Sequence, residues 1–165
     1  MEVKIKKLVD NAVIPIKMHE SDACFDLTST SITTEIGEDG QLIIVYHTGL
    51  AIELPENYVA LLMPRSSIFK KSLTLTNCVG VIDSGYRGEI VVKFKTNTNV
   101  VPAIYKENER IIQMLILPYP TIEFNLTEEL STSDRNEGGF GSTGNENTAE
   151  EQTNTTEASN TAPSE

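Results

Sequence analysis

Several residue types and patterns are scarce in this sequence. Its two cysteines, Cys24 and Cys78, lie 54 positions apart, and neither belongs to a CxxC or Cys/His spacing. That excludes the common structural zinc sites. A lone disulfide stays open beside the expected reading, two buried free thiols in a reducing compartment. The opening "MEVKIKKLVDNAVIPIK" has no apolar stretch of the secretory kind. No apolar run approaches the ~20 residues of a membrane-spanning helix. A cytoplasmic protein without membrane contact is expected, or one of the host cytoplasm or nucleus if the source is viral. Basic residues are few: 13 Lys and Arg against 24 Asp and Glu, a net charge of −11. Five of the acidic residues and no Lys or Arg fall in 145–165, so residues 1–144 carry 19 against 13, or −6. An acidic body without a basic stripe argues against nucleic acid as a partner. A small phosphate ligand needs only a few placed cations and stays open. Helical periodicity is missing too: no window of a dozen residues keeps apolar positions at i, i+3, i+4 and i+7. There is no internal repeat.

What remains is a chain of short strand signals, long enough for one domain with a real core. "VKIKKL" alternates, "QLIIVYHTGLAIEL" is β-branched with Gly49 as a candidate bulge, and "YVALLM" follows a Pro-Glu-Asn turn. "LTLTNCVGVI" alternates up to "DSGYRG". "EIVVKFKT" puts Ile90, Val92 and Phe94 on one face and Val91, Lys93 and Lys95 on the other. "RIIQMLILP" is apolar around one glutamine. This pattern predicts an all-β sandwich or barrel. Residues 145–165, poor in apolar side chains, are expected to be a disordered acidic tail.

Five stretches carry chemistry, and each has an ordinary reading beside it. In "SDACFDLTS", Asp26 needs a cation or a metal, or lies on a solvated face. In "LLMPRSSIFKK", Arg65, Ser66 and Ser67 collect donors at a strand end, as a phosphate cradle does, or form a surface turn. In "NCVGVIDSGYRGE", a hairpin tip offers Asn77, backbone groups and an Asp beside a Tyr, or is only a turn. In "ENERIIQMLILP", Arg110 and Gln113 are the only polar side chains at the head of an apolar strand. A buried Gln must bond backbone, water or ligand. "RNEGGFGSTG" is neither a P-loop nor a dinucleotide-binding turn. Its Arg135, Ser142 and Thr143 can still wrap a polyphosphate, and Phe140 between glycines is unusual for a linker.

In this order the five stretches resemble the five motifs of the trimeric dUTP diphosphatase (dUTPase) family, a likeness running from about residue 3 to residue 144. The resemblance implies a jelly-roll-like β-barrel or sandwich subunit. That subunit would form a homotrimer whose C-terminal arm crosses to a neighbour and whose active sites are shared. It implies domains at 1–134, a glycine-rich lid at 135–144 and the tail at 145–165. It implies hydrolysis of dUTP to dUMP and pyrophosphate with Mg²⁺, limiting uracil in DNA and supplying dUMP. Asp83 would orient the water that attacks the α-phosphorus, with Gln113 near that water. Tyr86 would lie under the deoxyribose, and Asn77, Gly80 and Ile82 would bind uracil. Arg65, Ser66 and Ser67 would hold phosphates. Arg135, Gly141, Ser142 and Thr143 would close over the γ-phosphate, and Phe140 would stack on uracil. Asp26 would bind the Mg²⁺ through water.

Four positions depart from the family pattern. Cys24, Ser67 and Asn136 stand where Gly is usual, and Gly85 where Asp is common. Asn136 tolerates a positive φ. The same-fold dCTP deaminases are the nearest alternative, because "VIDSGYRG" resembles their hairpin as well. They carry a catalytic Glu ten residues after the Asp, where this sequence has Lys93. A nucleotide-sensing regulatory protein on the same fold is the alternative from another class.

Overall fold

The computed structural model describes residues 1–96 and 103–138. Its described strands are β1 (Lys4–Lys7), β2 (Phe25–Thr28), β3 (Ser31–Ile36), β4 (Leu42–His47), β5 (Leu50–Glu53), β6 (Tyr58–Met63), β7 (Leu73–Leu75), β8 (Gly80–Ile82), β9 (Val91–Thr96) and β10 (Arg110–Pro118). A 3₁₀ turn at Ser66–Lys70 is the only helical element among the described residues. The expected all-β fold is what the chain adopts. All pairings are antiparallel, in sheets ordered β2-β10-β6-β8 and β3-β4-β9-β7 with a β1-β5 pair. These strands lie in one compact unit, Met1–Glu123, and a second unit begins at Phe124. Among the described residues no helix is long and apolar enough to cross a membrane.

The core is built from the inward faces of both four-stranded sheets: Leu27, Ile44, Tyr46, Ala60, Leu62, Leu73, Leu75, Val92, Phe94, Ile112 and Met114, with Ile90 and Tyr105 from the connections. On β9 the alternation falls as its sequence predicts, Val92 and Phe94 buried and Lys93 exposed. Tyr46, Phe94 and Tyr105 meet at ring centroid separations of 5.8 to 6.1 Å, two of the three pairs edge to face. The Tyr46 hydroxyl donates to the Tyr105 carbonyl (3.3 Å) and accepts from the Tyr105 N–H (3.0 Å).

Burial pushes the Tyr46 phenol up from 10.0 to about 12. The proton therefore stays on the folded chain after the unfolded chain has lost it. The associated stability is complete below pH 10 and is lost as pH rises through 12. Urea unfolding should show a fall of roughly 2–3 kcal/mol across that window from this group. Tyr46→Phe should start lower at neutral pH, with two backbone groups left unpaired, and decline less steeply. Parallel declines would show that Tyr46 is not the titrating group.

Three local features differ from the strand reading of the sequence. "QLIIVYHTGLAIEL" is two strands, because Gly49 turns the chain at φ +65° and lets it cross close to Val9 and Ala12. β7 and β8 are not one continuous strand facing β9: β7 pairs antiparallel with β9, and β8 does not. β8 leaves the sheet of β7 and β9 to pair with β6, Leu62 facing Gly80. Each half satisfies its backbone in a different sheet, so the chain turns a corner between them at Cys78, and the expected hairpin turn at "DSGYRG" joins strands of different sheets. Neither thiol is buried: both are free, Cys24 half-buried and Cys78 exposed, because Cys78 is the left-handed residue of that corner (φ +59°).

A bulge on β10 matters most for the site. Arg110 faces Thr28 while Ile112 faces Leu27, so Ile111 is an extra residue. Both isoleucines are then buried. Residues three apart on a regular strand point to opposite faces; here Arg110 and Gln113 share the face of Asp26.

Candidate active site

The sheet-crossing corner frames a cavity of about 350 Å³ whose wall includes Asn77, Gly80, Ile82, Asp83, Tyr86 and Lys93. The corner's sharpness produces it. The Val79 N–H donates back to the Asn77 carbonyl (2.5 Å) around Cys78, turning the Asn77 amide outward. Neither that amide nor the Asp83 carboxylate is bonded by any described residue, and both are exposed. Asp83 opens a tight turn in which its carbonyl accepts the Tyr86 N–H (3.0 Å). The Tyr86 hydroxyl donates to the Glu89 carbonyl (2.9 Å), and the ring lies against Gly88, where a Cβ would come within 2.6 Å of Cζ. One wall thus offers a flat aromatic face, a free amide and a free carboxylate beside apolar Leu62 and Ile82.

A second cluster gathers where β2, β6 and β10 lie side by side. Asp26, its side chain only 14% exposed, is held by two guanidiniums: Arg65 Nε at Oδ1 and Arg110 Nη1 at Oδ2, both 2.9 Å. Arg65 Nη1 also donates to the Arg110 carbonyl (3.1 Å). Gln113, opposite Asp26 across the β10-β2 ladder, donates through Nε2 to the Pro64 carbonyl (2.9 Å). Its Oε1 accepts from none of the described residues. Asp26, Arg65, Ser66, Gln113 and Cys24 line a cleft of about 320 Å³. Ser67 faces the far side of Arg65, in a cleft with Lys71, Tyr105 and Arg110. Lys71 is tied to Glu109 at 3.3 Å, and the backbone N–H of Lys106 with Lys71 holds that carboxylate below the usual range. Asp26 has both oxygens engaged, yet guanidinium donors remain free to meet an anion. Among the described residues no group of three acidic, Cys or His side chains could hold a metal.

The structure thus offers clefts lined by Arg65, Ser66, Ser67 and Arg110 and an aromatic, amide-lined cavity. The dUTPase family model matches residues 10–144. The chain belongs to the dUTPase family. It is 41% identical over 145 residues to a deoxyuridine 5'-triphosphate nucleotidohydrolase of Crocosphaera subtropica, and 43% identical over 145 residues to that of Nautilia profundicola. Each alignment covers 87% of this chain and 99% of the relative. Among solved structures, a mutant Staphylococcus bacteriophage 80alpha dUTPase with dUpNHpp matches at a TM-score of 0.73 and 30% identity, covering 87% of this chain and 98% of that one.

The two clusters of this dUTPase-family enzyme share no lining residue. Arg135 lies in the second unit, its Nε donating to the Gly138 carbonyl (2.9 Å). Asn136 takes φ +41°, the conformation its side chain was expected to tolerate. Phe140, Gly141, Ser142 and Thr143, and the tail from 145, lie outside the described residues. A Cβ at Gly85 would meet open space, so the Asp common there would fit. Cys24 leaves Asp26 in its paired geometry. The residue missing from the expected site is Arg110. Its signal was visible, a lone cation at the head of an apolar strand, but the bulge that aims it at Asp26 has no sequence signature.

Proposed function

We propose that the chain hydrolyses dUTP to dUMP and pyrophosphate, with Asp83 positioning the attacking water. The observation that carries this is the uncommitted Asp83 carboxylate on the cavity wall, next to Tyr86 and Asn77. Uracil would meet Asn77, Gly80 and Ile82, the deoxyribose would lie on Tyr86, and Arg65, Ser66, Ser67 and Gln113 would take the phosphates. A loose, charge-spread transition state at phosphorus needs in-line positioning and neutralisation more than covalent help. Mg²⁺ suits this donor set if the triphosphate supplies most of its oxygens, since that ion keeps its waters and uses few carboxylates. Asp26 would then hold it through water, and the ion would neutralise phosphate charge.

A homotrimer with shared sites accords with the separation of the two clusters and with the exposed apolar side chains Phe69, Val79, Val81 and Leu117. In this reading residues 135–144 are a lid that crosses to a neighbour and excludes water, and 145–165 is a tail. The match to the family model ends at residue 144, which supports that boundary. Deleting 145–165 should leave kcat/KM nearly unchanged. Deleting 135–165 should lower it roughly 10²-fold through lost positioning while the trimer persists by light scattering. A fully active shorter chain would remove the lid from the site.

The deaminase alternative is disfavoured at Lys93, which lies on the cavity wall with Nζ 2.7 Å from Glu35. An ammonium cannot act there as a proton-shuttling carboxylate. Pyrophosphate release from dUTP, compared with dCTP, dTTP and UTP and with and without Mg²⁺, tests the proposal. Activity on dUTP alone, stimulated by Mg²⁺, is expected. Ammonia release from dCTP would overturn it.

A further inference from the structure

Tyr86 is held by something outside its own turn. Its hydroxyl donates to the carbonyl of Glu89, so the ring can be no better placed than Glu89 is. Glu89 in turn is clamped by the β4-β5 corner. Its Oε1 accepts the Gly49 N–H at 2.8 Å and its Oε2 meets His47 Nδ1 at 3.1 Å. The imidazole is steadied from behind by Thr33, Oγ1 to Nε2 at 3.1 Å. The next residue continues the seam: the Ile90 N–H donates to the Leu50 carbonyl (2.8 Å), and the Thr48 hydroxyl donates to the Ile90 carbonyl (2.7 Å). Gly49 turns its N–H toward the carboxylate because it sits at φ +65°, a conformation costly for most other residues. The carboxylate is thus bonded on both oxygens, half-buried, and lies outside the lining of either cleft or the cavity. Nothing in the proposed reaction uses it, and a half-buried charge is retained at a cost unless its bonds position something.

We infer that Glu89, clamped by His47 and the Gly49 N–H, is a positioning residue that fixes the Tyr86 ring and so sets discrimination between deoxyribose and ribose. This rests on the reading that places the sugar on Tyr86. The physical route is short. Gly88 gives the ring no slack on one side, and the Glu89 carbonyl pins the hydroxyl end. Releasing the carboxylate frees residues 88–89 to shift, and the ring moves off the position in which, on that reading, it would stand against the sugar and leave no space for a 2′-hydroxyl.

The test is the ratio of kcat/KM for dUTP over UTP, measured on the full chain. Glu89→Ala is expected to lower the ratio about tenfold, chiefly through KM, with kcat on dUTP much less affected. Glu89→Gln, which can keep the Gly49 bond, should retain most of it. His47→Leu, an apolar replacement that should not disturb folding, should lower it about threefold, the worth of one hydrogen bond. Combining Tyr86→Phe with Glu89→Ala should add little to either alone, since one removes the hydroxyl and the other unfixes the carbonyl of the same link. A ratio unchanged in Glu89→Ala and His47→Leu, or fully additive effects in the double variant, would overturn the inference while leaving the enzyme reading intact. If Glu89→Ala does not fold, His47→Leu decides alone. A wild-type chain that turns over UTP as well as dUTP would overturn the role given to Tyr86, and this inference with it.

Discussion

Asp83→Asn is expected to lower turnover of dUTP by roughly 10³-fold, the range for loss of a positioned base, with little change in fold or in nucleotide affinity. The geometry supports both parts of that expectation. The Asp83 carboxylate is exposed and makes no bond to a described residue, so folding does not depend on it. The turn it opens is held through its backbone carbonyl and the Tyr86 N–H, which asparagine retains. What asparagine loses is a charged acceptor for a water proton. Single-turnover pyrophosphate release, with thermal melting and dUTP binding as controls, makes the measurement. Turnover within a few-fold of wild type would remove Asp83 from the mechanism, and a large fall in melting temperature would show a structural role instead.

Asp26→Ala is expected to damage both stability and activity. Removing the carboxylate leaves the Arg65 and Arg110 guanidiniums side by side with no counter-charge, although Arg65 still reaches the Arg110 carbonyl. Breaking a paired, mostly buried charge costs several kcal/mol when burial is complete. With the arginines a quarter to a third exposed, a loss of about 2 kcal/mol is the discounted expectation. Arg65 would lose its aim, and kcat/KM for dUTP should fall roughly 10²-fold. Asp26→Asn separates the two roles open to this residue. If it mainly holds the arginines, raised Mg²⁺ will not restore activity and the urea midpoint will drop. If it mainly serves the metal, excess Mg²⁺ will restore activity and the midpoint will hold, which would sink the ion-pair account.

Much of this protein is legible residue by residue. The alternation of "EIVVKFKT" assigns inward Val92 and Phe94, and "YVALLM" and "RIIQMLILP" mark strands that form with those limits as β6 and β10. A period of two, with one face buried, leaves little choice of register. The motif stretches were legible for a related reason. A carboxylate next to a tyrosine in a glycine-bearing turn, or an arginine and two serines after a strand, is chemistry expressed within a few neighbouring residues.

The tertiary structure decided what depends on distant partners. "LTLTNCVGVI" reads as one side of a hairpin, but it is divided between sheets because β6 and β9 compete for its two halves. Asp26 had three candidate environments in the sequence, and the fold selected two arginines from 39 and 84 residues away. The bulge at Ile111 brings Arg110 and Gln113 onto one face, and the Glu89–His47 clamp spans 42 residues. Local periodicity carries burial and strand identity, because each residue's backbone and its immediate neighbours determine them. Pairings between charges are a property of closed loops. They exist only once strands distant in sequence have paired side by side and brought those side chains within hydrogen-bonding distance.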